Sequence, residues 1–200
     1  MSHREPSPVN ASKEALRDQL LAARREVSVA QIASRAKLVA EHLLDEAEVR
    51  RAATVAAYVS VGREPGTGPL LDALTDAGKR VVLPALQPDG DLDWALYRGP
   101  DSLAPARRGL LEPVGPLLGP ATVATADVVL VPGLGVDGRG RRLGRGGGSY
   151  DRALARVPVG TFVCIVLNAA EVLDAVPTEA HDRPVSAVVT EDGVRRLTAG

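Results

Sequence analysis

A run of glycines and arginines over residues 133–152 carries the clearest chemical signal in this sequence. An apolar segment, 128–132, leads into it, and residues 150–156 have the pattern of a helix start. Glycines let backbone N–H groups approach a bound anion closely, and arginines offer forked donors that suit phosphate oxygens. Four arginines lie between Asp137 and Asp151 with no acid among them. The pattern predicts a loop that holds a polyphosphate against a helix N-terminus.

Two better-known phosphate motifs do not account for this loop. The P-loop pattern requires a lysine before a serine or threonine, and no lysine lies in this region. Residues 133–138 match G-x-G-x-x-G, but in a dinucleotide-binding fold that pattern opens directly into a helix. Here more loop follows before the next predicted helix at Tyr150, so we interpret the match as accidental.

The composition is that of an ordinary globular protein and limits the classes of partner. With 200 residues, 45% of them hydrophobic, the chain is expected to form one domain. A net charge of −1 and only 2% aromatic residues argue against a nucleic-acid partner. One cysteine, Cys164, lies in an apolar segment and is expected to pack in the core of a cytoplasmic protein. No apolar run is long enough to span a membrane, so we expect no membrane partner. We also expect a monomer.

Strands that alternate with helices predict an α/β fold, a single-domain, open, mainly parallel sheet flanked by helices. Residues 1–10 are predicted to be a flexible tail and 11–200 the single domain. Strands are expected over 54–61, 80–84, 92–97, 127–131, 161–167 and 185–190. Helices are expected after a Ser12 cap, from a Ser28 capping box to about Val49, over 70–77 and from Tyr150, with an irregular connection over 99–122.

The segment from Val131 to Asp151 resembles the ATP-binding loop of the 5-formyltetrahydrofolate cyclo-ligase family. That family's pattern is [VM]-P-G-x-x-F-D-x-x-G-x-R-L-G-x-G-x-G-Y-Y-D, and this chain follows its spacing without a gap. Residues 13–17 resemble the family's K-x-x-x-R, 58–84 its substrate segment and second strand, and 177–185 its P-x-E-x-H-D-x-x-V. The resemblance therefore covers nearly the whole chain in the right order.

The resemblance implies an ATP-driven closure of 5-formyltetrahydrofolate to 5,10-methenyltetrahydrofolate, with release of ADP and phosphate. In that reaction the γ-phosphoryl group is transferred to the formyl oxygen, and N10 then attacks the activated carbon. Phosphoryl transfer depends on positioning and charge neutralisation more than on a protein nucleophile. ATP is implied as co-substrate, a reduced folate as the second ligand and Mg²⁺ as cofactor.

The resemblance also assigns roles to individual residues. The ATP-binding positions are Lys13, Arg17, Arg142, Gly144, Arg145, Gly146, Gly147, Gly148, Ser149 and Tyr150. The substrate-binding positions are Val59, Glu64, Arg145 and Ser149, and the Mg²⁺ ligands are Asp151 and Asp182. The positions implied to be catalytic are Lys13, Arg145 and Tyr150.

The residue types alone permit simpler interpretations of several of these positions. Lys13 and Arg17 could be solvated charges on an exposed helix face, and Arg139 and Arg141 are expected to be so. Asp151, in the first turn of a helix, could act only on the helix dipole.

The chain departs from the family pattern at three aromatic positions, which carry Val136, Ser149 and Leu167. Because flat apolar faces bind the folate rings best, these departures are expected to weaken folate binding or to change the substrate. Trp94 and Tyr97 either line the folate site or pack in the core. Two alternatives therefore stay open: a paralogue that uses ATP on another N-formyl or heterocyclic substrate, and a non-catalytic nucleotide-binding regulator.

Overall fold

The computed structural model describes residues 8–198, apart from the side chain of Arg108. The helices are α1 (Pro8–Arg25), α2 (Val29–Asp45), α3 (Ala47–Arg51), α4 (Gly68–Asp76) and α5 (Ser149–Leu154). The strands are β1 (Thr54–Ala56), β2 (Arg80–Leu86), β3 (Leu92–Leu96), β4 (Leu103–Pro105), β5 (Leu111–Pro113), β6 (Val128–Val131), β7 (Gly135–Asp137), β8 (Arg142–Leu143), β9 (Phe162–Val166), β10 (Val172–Leu173), β11 (Ala187–Thr190) and β12 (Gly193–Arg196). Among the helices of residues 8–198, none is both long and apolar enough to cross a membrane.

A seven-stranded sheet in the order β12-β11-β9-β6-β1-β2-β3 forms the centre of the fold. The five inner strands pair in parallel, and the two edge strands, β12 and β3, pair antiparallel. After β1 the chain builds β2 and β3 on one side and then returns to place β6 on the other. Open parallel sheets bind ligands at such a reversal, beyond the carboxyl ends of the strands. The predicted α/β class is confirmed, and the topology predicts a ligand site between β1 and β6.

The two faces of the sheet are covered by different helices. Side chains alternate between faces along each strand, so Val55 packs under α2 and α4 while its neighbour Ala56 points to the opposite face. The opposite face is covered by α5 and by a 3₁₀ turn over Pro120–Thr125. Cys164 is fully buried under α2 and α4, which confirms that it packs in the core.

Helix α1 does not pack on the large sheet but on a second, three-stranded sheet of order β10-β7-β8. Leu20 forms a small cluster with Leu134, Leu143 and Val176, beside the two strands that carry the glycine–arginine segment. This packing holds one face of α1 against that segment.

Helix α1 corrects the expectation of a cap at Ser12. Within the described residues the helix already includes Pro8, and the Ser12 hydroxyl donates to the Pro8 carbonyl one turn earlier, so Ser12 lies inside the helix and is not its cap. Residues 8–10 of the predicted tail are therefore helical, and residues 1–7 lie outside the described part of the chain. The division into a tail and one domain stays a prediction.

The capping box at Ser28 is confirmed, because the Ser28 hydroxyl accepts from the Gln31 amide and the Gln31 side chain accepts from the Ser28 amide. The helix predicted to continue to about Val49 is interrupted at Glu46, whose extended backbone separates α2 from α3. Strand β1 ends at Ala56, earlier than predicted. The irregular connection contains a hairpin of β4 and β5, and the sequence patterns also missed β10 and β12.

The segment predicted to be one continuous loop contains a hairpin of β7 and β8. The Asp137 carboxylate holds its turn by accepting hydrogen bonds from the amides of Arg139 and Arg141 and from the Arg141 guanidinium. Burial opposes ionisation of Asp137, but these bonds and one from the Val176 amide outweigh it and lower the pKa of the carboxyl. Arg141 is thus paired and half-buried, not a solvated charge, whereas Arg139 is exposed as predicted.

Candidate active site

A cavity of about 630 Å³ opens at the carboxyl ends of β1 and β6. Tyr58 and Val59, which follow β1, form part of its wall, and Pro132 and Gly133, which follow β6, form another part. Helix α1 and the segment from Arg142 to Asp151 close it from the other side. Its position is the one that the reversal of strand order predicts.

Every residue to which the sequence assigned a site role lines this cavity. They are Lys13, Arg17, Val59, Glu64, Arg142, Gly144, Arg145, Gly146, Gly147, Gly148, Ser149, Tyr150, Asp151 and Asp182. Residues from four separate parts of the chain therefore meet in one place, which supports the roles that the resemblance implies without testing them.

Lys13 reaches the cavity wall from α1 and is only 4% exposed. Its Nζ lies 2.6 Å from Asp182 Oδ2 and 3.0 Å from Glu179 Oε2. Burial disfavours the charged lysine, but the hydrogen bonds to these two carboxylates outweigh it and raise the Lys13 pKa. Lys13 is therefore a buried cation with dedicated partners, and the interpretation as a solvated surface charge is wrong.

Asp182 is the carboxylate that lies nearest to the Lys13 ammonium. Burial disfavours its charge, but the hydrogen bonds from Lys13 and from the Glu179 amide hold its pKa below the usual value. One turn along α1, the Arg17 Nε donates to the Gly144 carbonyl at 2.9 Å. Lys13 and Arg17 thus fasten α1 to two different segments of the cavity wall.

Arg142 and Asp151 form a second cation–carboxylate pair. The Arg142 Nη2 donates to Asp151 Oδ1 at 2.8 Å, and that carboxylate also accepts from the Arg183 amide. The Arg142 guanidinium is almost fully buried, and its Nε has no hydrogen-bond partner among the described residues. A buried donor without a partner costs free energy that a bound oxyanion can recover.

Backbone conformation favours glycine at two positions between Arg142 and Ser149. Gly146 and Gly148 have φ of +94° and +67°, which L side chains rarely adopt. Since α5 is only six residues long, its dipole is a weaker anion attractant than the sequence suggested. The arginine side chains, not the helix end, supply most of the positive charge.

Arg145 links the charged segment to Glu64. Its Nε and Nη2 donate to Glu64 Oε1 at 3.2 and 3.0 Å, and the other Glu64 oxygen accepts from the Val61 amide at 3.0 Å. The Arg145 side chain is 56% exposed whereas that of Glu64 is 8% exposed. Glu64 therefore has a fixed position, and Arg145 is the freer partner.

The rest of the cavity wall is mainly apolar. It is formed by Tyr58, Val59, Val61, Pro84, Leu86, Leu92, Leu110, Leu111, Pro132, Leu143 and Tyr150. Burial raises the Tyr150 pKa well above its usual value, and the charge of Glu64 adds to this effect. Tyr150 is thus a neutral phenol at physiological pH, able to donate or accept a hydrogen bond but not to act as a base.

The positions that lack the family's aromatics have different surroundings. Val136 and Leu167 are fully buried in the core and do not line the cavity. Only Ser149 lies at the wall, where its hydroxyl donates to the Gly90 carbonyl at 2.6 Å. Trp94 is buried in the core and the Tyr97 hydroxyl donates to Asp72, so both pack away from the cavity. The expectation that three ring contacts are lost is wrong for Val136 and Leu167, because their side chains fill the core.

Glu179 is the functional candidate that sequence reasoning missed. The resemblance included it in the P-x-E-x-H-D segment but gave it no role. Together with His181 and Asp182 it presents ligand atoms within 4.8 Å of one another, around the position that the Lys13 ammonium approaches. Hard carboxylate oxygens beside a phosphate-binding segment are a donor set that suits Mg²⁺.

Comparisons with known proteins agree with the fold and identify the family. A sequence model of the 5-formyltetrahydrofolate cyclo-ligase family matches residues 9–191. A 5-formyltetrahydrofolate cyclo-ligase of Mycolicibacterium smegmatis is 46% identical over 142 residues, which cover 68% of this chain and 73% of that protein. One of Escherichia coli is 32% identical over 179 residues, covering 86% and 96%. The NMR structure of Aquifex aeolicus 5,10-methenyltetrahydrofolate synthetase superposes with a TM-score of 0.80 at 31% identity, over 94% of each chain.

Proposed function

The chain belongs to the 5-formyltetrahydrofolate cyclo-ligase family, and we propose that it uses ATP to convert 5-formyltetrahydrofolate to 5,10-methenyltetrahydrofolate. The products of this reaction also include ADP and inorganic phosphate. The observation that carries the proposal is the convergence of Lys13, Arg17, Arg142 and Arg145 on one cavity whose remaining wall is apolar. Such a cavity suits one polyanionic and one ring-shaped ligand together.

The four cations bind the triphosphate in this proposal. Lys13 and Arg142 each have a carboxylate partner before ATP arrives, so each transfers its hydrogen bonds from that carboxylate to phosphate oxygens. Arg17 and the amides of residues 144–149 complete the set of donors. Charge-assisted hydrogen bonds of this kind are about twice as strong as neutral ones, which is why the cations determine the position of the terminal phosphate.

Asp151 and Asp182 are the carboxylates that would hold Mg²⁺, as the resemblance implies. Both belong to cation–carboxylate pairs at the cavity wall. When bound, the ion would neutralise negative charge on the phosphates. Glu179 and His181 lie beside Asp182 and are further candidate ligands.

The reaction requires an inert formamide oxygen to become a leaving group. The formyl oxygen attacks the terminal phosphorus of ATP, the bond from that phosphorus to the bridging oxygen breaks, and ADP is released. N10 then attacks the activated carbon and loses its proton, the carbon–oxygen bond breaks, and phosphate leaves with the former formyl oxygen. Arg145 is the residue best suited to act on the transferred group, because it extends from the glycine segment to Glu64.

The reduced folate occupies the apolar part of the cavity. Val59 contacts its rings, Glu64 accepts hydrogen bonds from its ring N–H groups, and Ser149 lies at the boundary with the phosphates. Tyr150, a neutral phenol beside Glu64 and Arg142, donates a hydrogen bond in the same region. The monomeric state and the cytoplasmic location expected from the sequence stay predictions.

The test is to mix the purified protein with Mg-ATP and 5-formyltetrahydrofolate and to follow the absorbance of the methenyl product. Product that requires both ATP and the folate supports the proposal. Product formed without ATP, or none with it, would remove it. Nucleotide binding without turnover of this folate or of other N-formyl compounds would instead support a regulator.

A further inference from the structure

One face of α1 carries a cation that lies away from the cavity. Its positions follow one another at intervals of four, three and four residues and therefore share a stripe of the helix: Lys13, Arg17, Leu20 and Arg24. Lys13 and Arg17 line the cavity, whereas Arg24, about two turns beyond Arg17, does not. Arg24 is nevertheless only 3% exposed. An arginine is rarely buried to this degree unless it is paired.

Arg24 joins the last turn of α1 to two other segments. Its Nε donates to Glu171 Oε1 at 2.6 Å and its Nη2 donates to Glu171 Oε2 at 2.8 Å, so the two side chains form a bidentate pair. The same Nη2 donates to the Gly133 carbonyl at 2.6 Å. Gly133 follows β6 and lies at the cavity wall. One side chain therefore fixes α1 both to the cavity wall and to Glu171.

Glu171 is a fixed partner, because its own surroundings hold it. It ends the 3₁₀ turn Ala169–Glu171, which follows β9, and it is 4% exposed. Its carboxylate accepts from the Asn168 amide at 3.0 Å and from the Asn168 side chain at 2.9 Å. The Asn168 side chain in turn accepts from Arg35 of α2 at 3.0 Å. Arg24 is thus anchored, through Glu171 and Asn168, to the carboxyl end of β9 and to α2.

Lys13 and Arg17 make contacts of a different kind. In the proposed function Lys13 exchanges Asp182 for phosphate oxygens. Arg17 bonds to the Gly144 carbonyl, which belongs to the segment that binds ATP. Glu171 does not line the cavity, so ATP has no access to the carboxylate that holds Arg24. The contacts of Arg24 are therefore ones that ATP leaves unchanged.

We propose that Arg24 is a positioning residue for ATP, and that it acts by holding α1 in place through its pair with Glu171. Lys13 and Arg17 then reach the triphosphate without a shift of the helix that carries them. This inference rests on the proposed function and adds to it a contact outside the cavity. Because electrostatic stabilisation depends on donors that are already in place, a displaced α1 would bind ATP less well.

The test compares Arg24→Lys with Arg35→Lys in the full chain. Arg24→Lys keeps the positive charge but loses the planar fork that bonds to both Glu171 oxygens and to Gly133. Arg35→Lys alters the same polar cluster from α2. We expect both variants to unfold at a lower denaturant concentration than the wild type. Only Arg24→Lys should raise the dissociation constant of Mg-ATP, by about tenfold, with that of 5-formyltetrahydrofolate unchanged.

Glu171→Gln tests the pair from its other member. It should also raise the dissociation constant of Mg-ATP, and the double variant Arg24→Lys/Glu171→Gln should add little, since both changes break one contact. The dissociation constants are measured by calorimetry at a temperature where each variant is folded. A loss of stability alone then leaves them unchanged.

Two results would overturn the inference alone. If Arg24→Lys lost stability but bound Mg-ATP as tightly as the wild type, the pair would only hold the fold together. An equal rise for Arg35→Lys, or a matching loss of folate affinity in Arg24→Lys, would show a general loosening of the protein instead of a displaced helix. Failure of the wild type to bind Mg-ATP would overturn the proposed function as well, and it is visible before any variant is made.

Discussion

The two halves of the cavity differ in how their polar groups are satisfied before any ligand binds. On the phosphate side, cations and carboxylates are already paired, as Lys13 is with Asp182 and Arg142 with Asp151. On the ring side, the walls are mainly apolar, and Glu64 is the buried acid among them. The phosphate side must exchange partners for most of its hydrogen bonds, with the Arg142 Nε as a donor that has none among the described residues, whereas the ring side offers mainly apolar contact. Substitutions in the buried pairs of the first side should therefore change stability and affinity together, whereas substitution of the exposed Arg145 or of the apolar walls should separate the two effects.

The largest effect is expected for Lys13→Ala. The change leaves two carboxylates facing each other without their cation and removes a phosphate ligand. We expect kcat/KM for ATP to fall more than about 100-fold, and the free energy of unfolding to fall by about 3 kcal/mol, as for other broken buried pairs. Steady-state kinetics and denaturant unfolding measure the two quantities.

The control is Lys37→Ala. Lys37 is exposed on α2 and does not line the cavity. It should change neither quantity. If Lys13→Ala destabilised the protein without any effect on ATP, the pair would be structural only, and the difference between the two halves would disappear.

Arg145→Ala is expected to have the next largest effect and to affect activity alone. The side chain is more than half exposed, so its removal should leave the unfolding midpoint within error. Loss of one charged hydrogen-bond donor to phosphate should reduce kcat/KM by about thirtyfold. The exposed Arg139, in the same glycine–arginine segment, provides the matched control variant Arg139→Ala. Equal kinetics for the two variants would contradict a role for Arg145.

Asp182→Asn tests the carboxylate side of the phosphate half. The amide keeps the shape but loses the charge that attracts a divalent ion, so half-maximal activity should require about tenfold more Mg²⁺. Direct binding of Mn²⁺, followed by electron paramagnetic resonance without substrates, gives a readout independent of turnover. The exposed Asp174 offers the control Asp174→Asn. An unaltered metal titration would mean that Asp182 only positions Lys13.

The smallest functional effect is expected where the family's aromatics are missing from the core. Val136→Phe adds a ring to a fully buried site, so it should lower stability by about 1–3 kcal/mol without improving folate affinity. Ser149→Tyr changes a residue at the cavity wall and should alter the folate dissociation constant. Calorimetry on both variants measures this. Tighter folate binding by Val136→Phe would show that the ring side extends further than the cavity does.

Much of the site could be predicted because its residues occur in short, regularly spaced groups. Lys13 and Arg17 are four residues apart, so a helix necessarily brings them to one face. The segment from Arg142 to Asp151 is continuous in sequence, which fixes its members near one another. The sheet could be predicted equally well, because its inner strands are uninterrupted apolar runs such as the one around Cys164.

The rest could not be predicted because it depends on contacts between distant segments. The pairing of Lys13 with Glu179 joins residues 166 positions apart. The strands β7 and β8 are too short to show a period, and the carboxylate of Asp137 fixes their turn by several bonds. Val136 is buried in the packed core, which its sequence position does not reveal. The missing aromatic there therefore suggested an altered folate site, although the side chain does not line the cavity.

The most direct test of the central claim follows the formyl oxygen itself. The account states that the cavity brings the terminal phosphate of ATP to that oxygen, which must then leave with the phosphate. Turnover of 5-formyltetrahydrofolate labelled with ¹⁸O in the formyl group, followed by ³¹P NMR, should therefore show ¹⁸O in the inorganic phosphate released. Methenyl product accompanied by unlabelled phosphate would contradict the account.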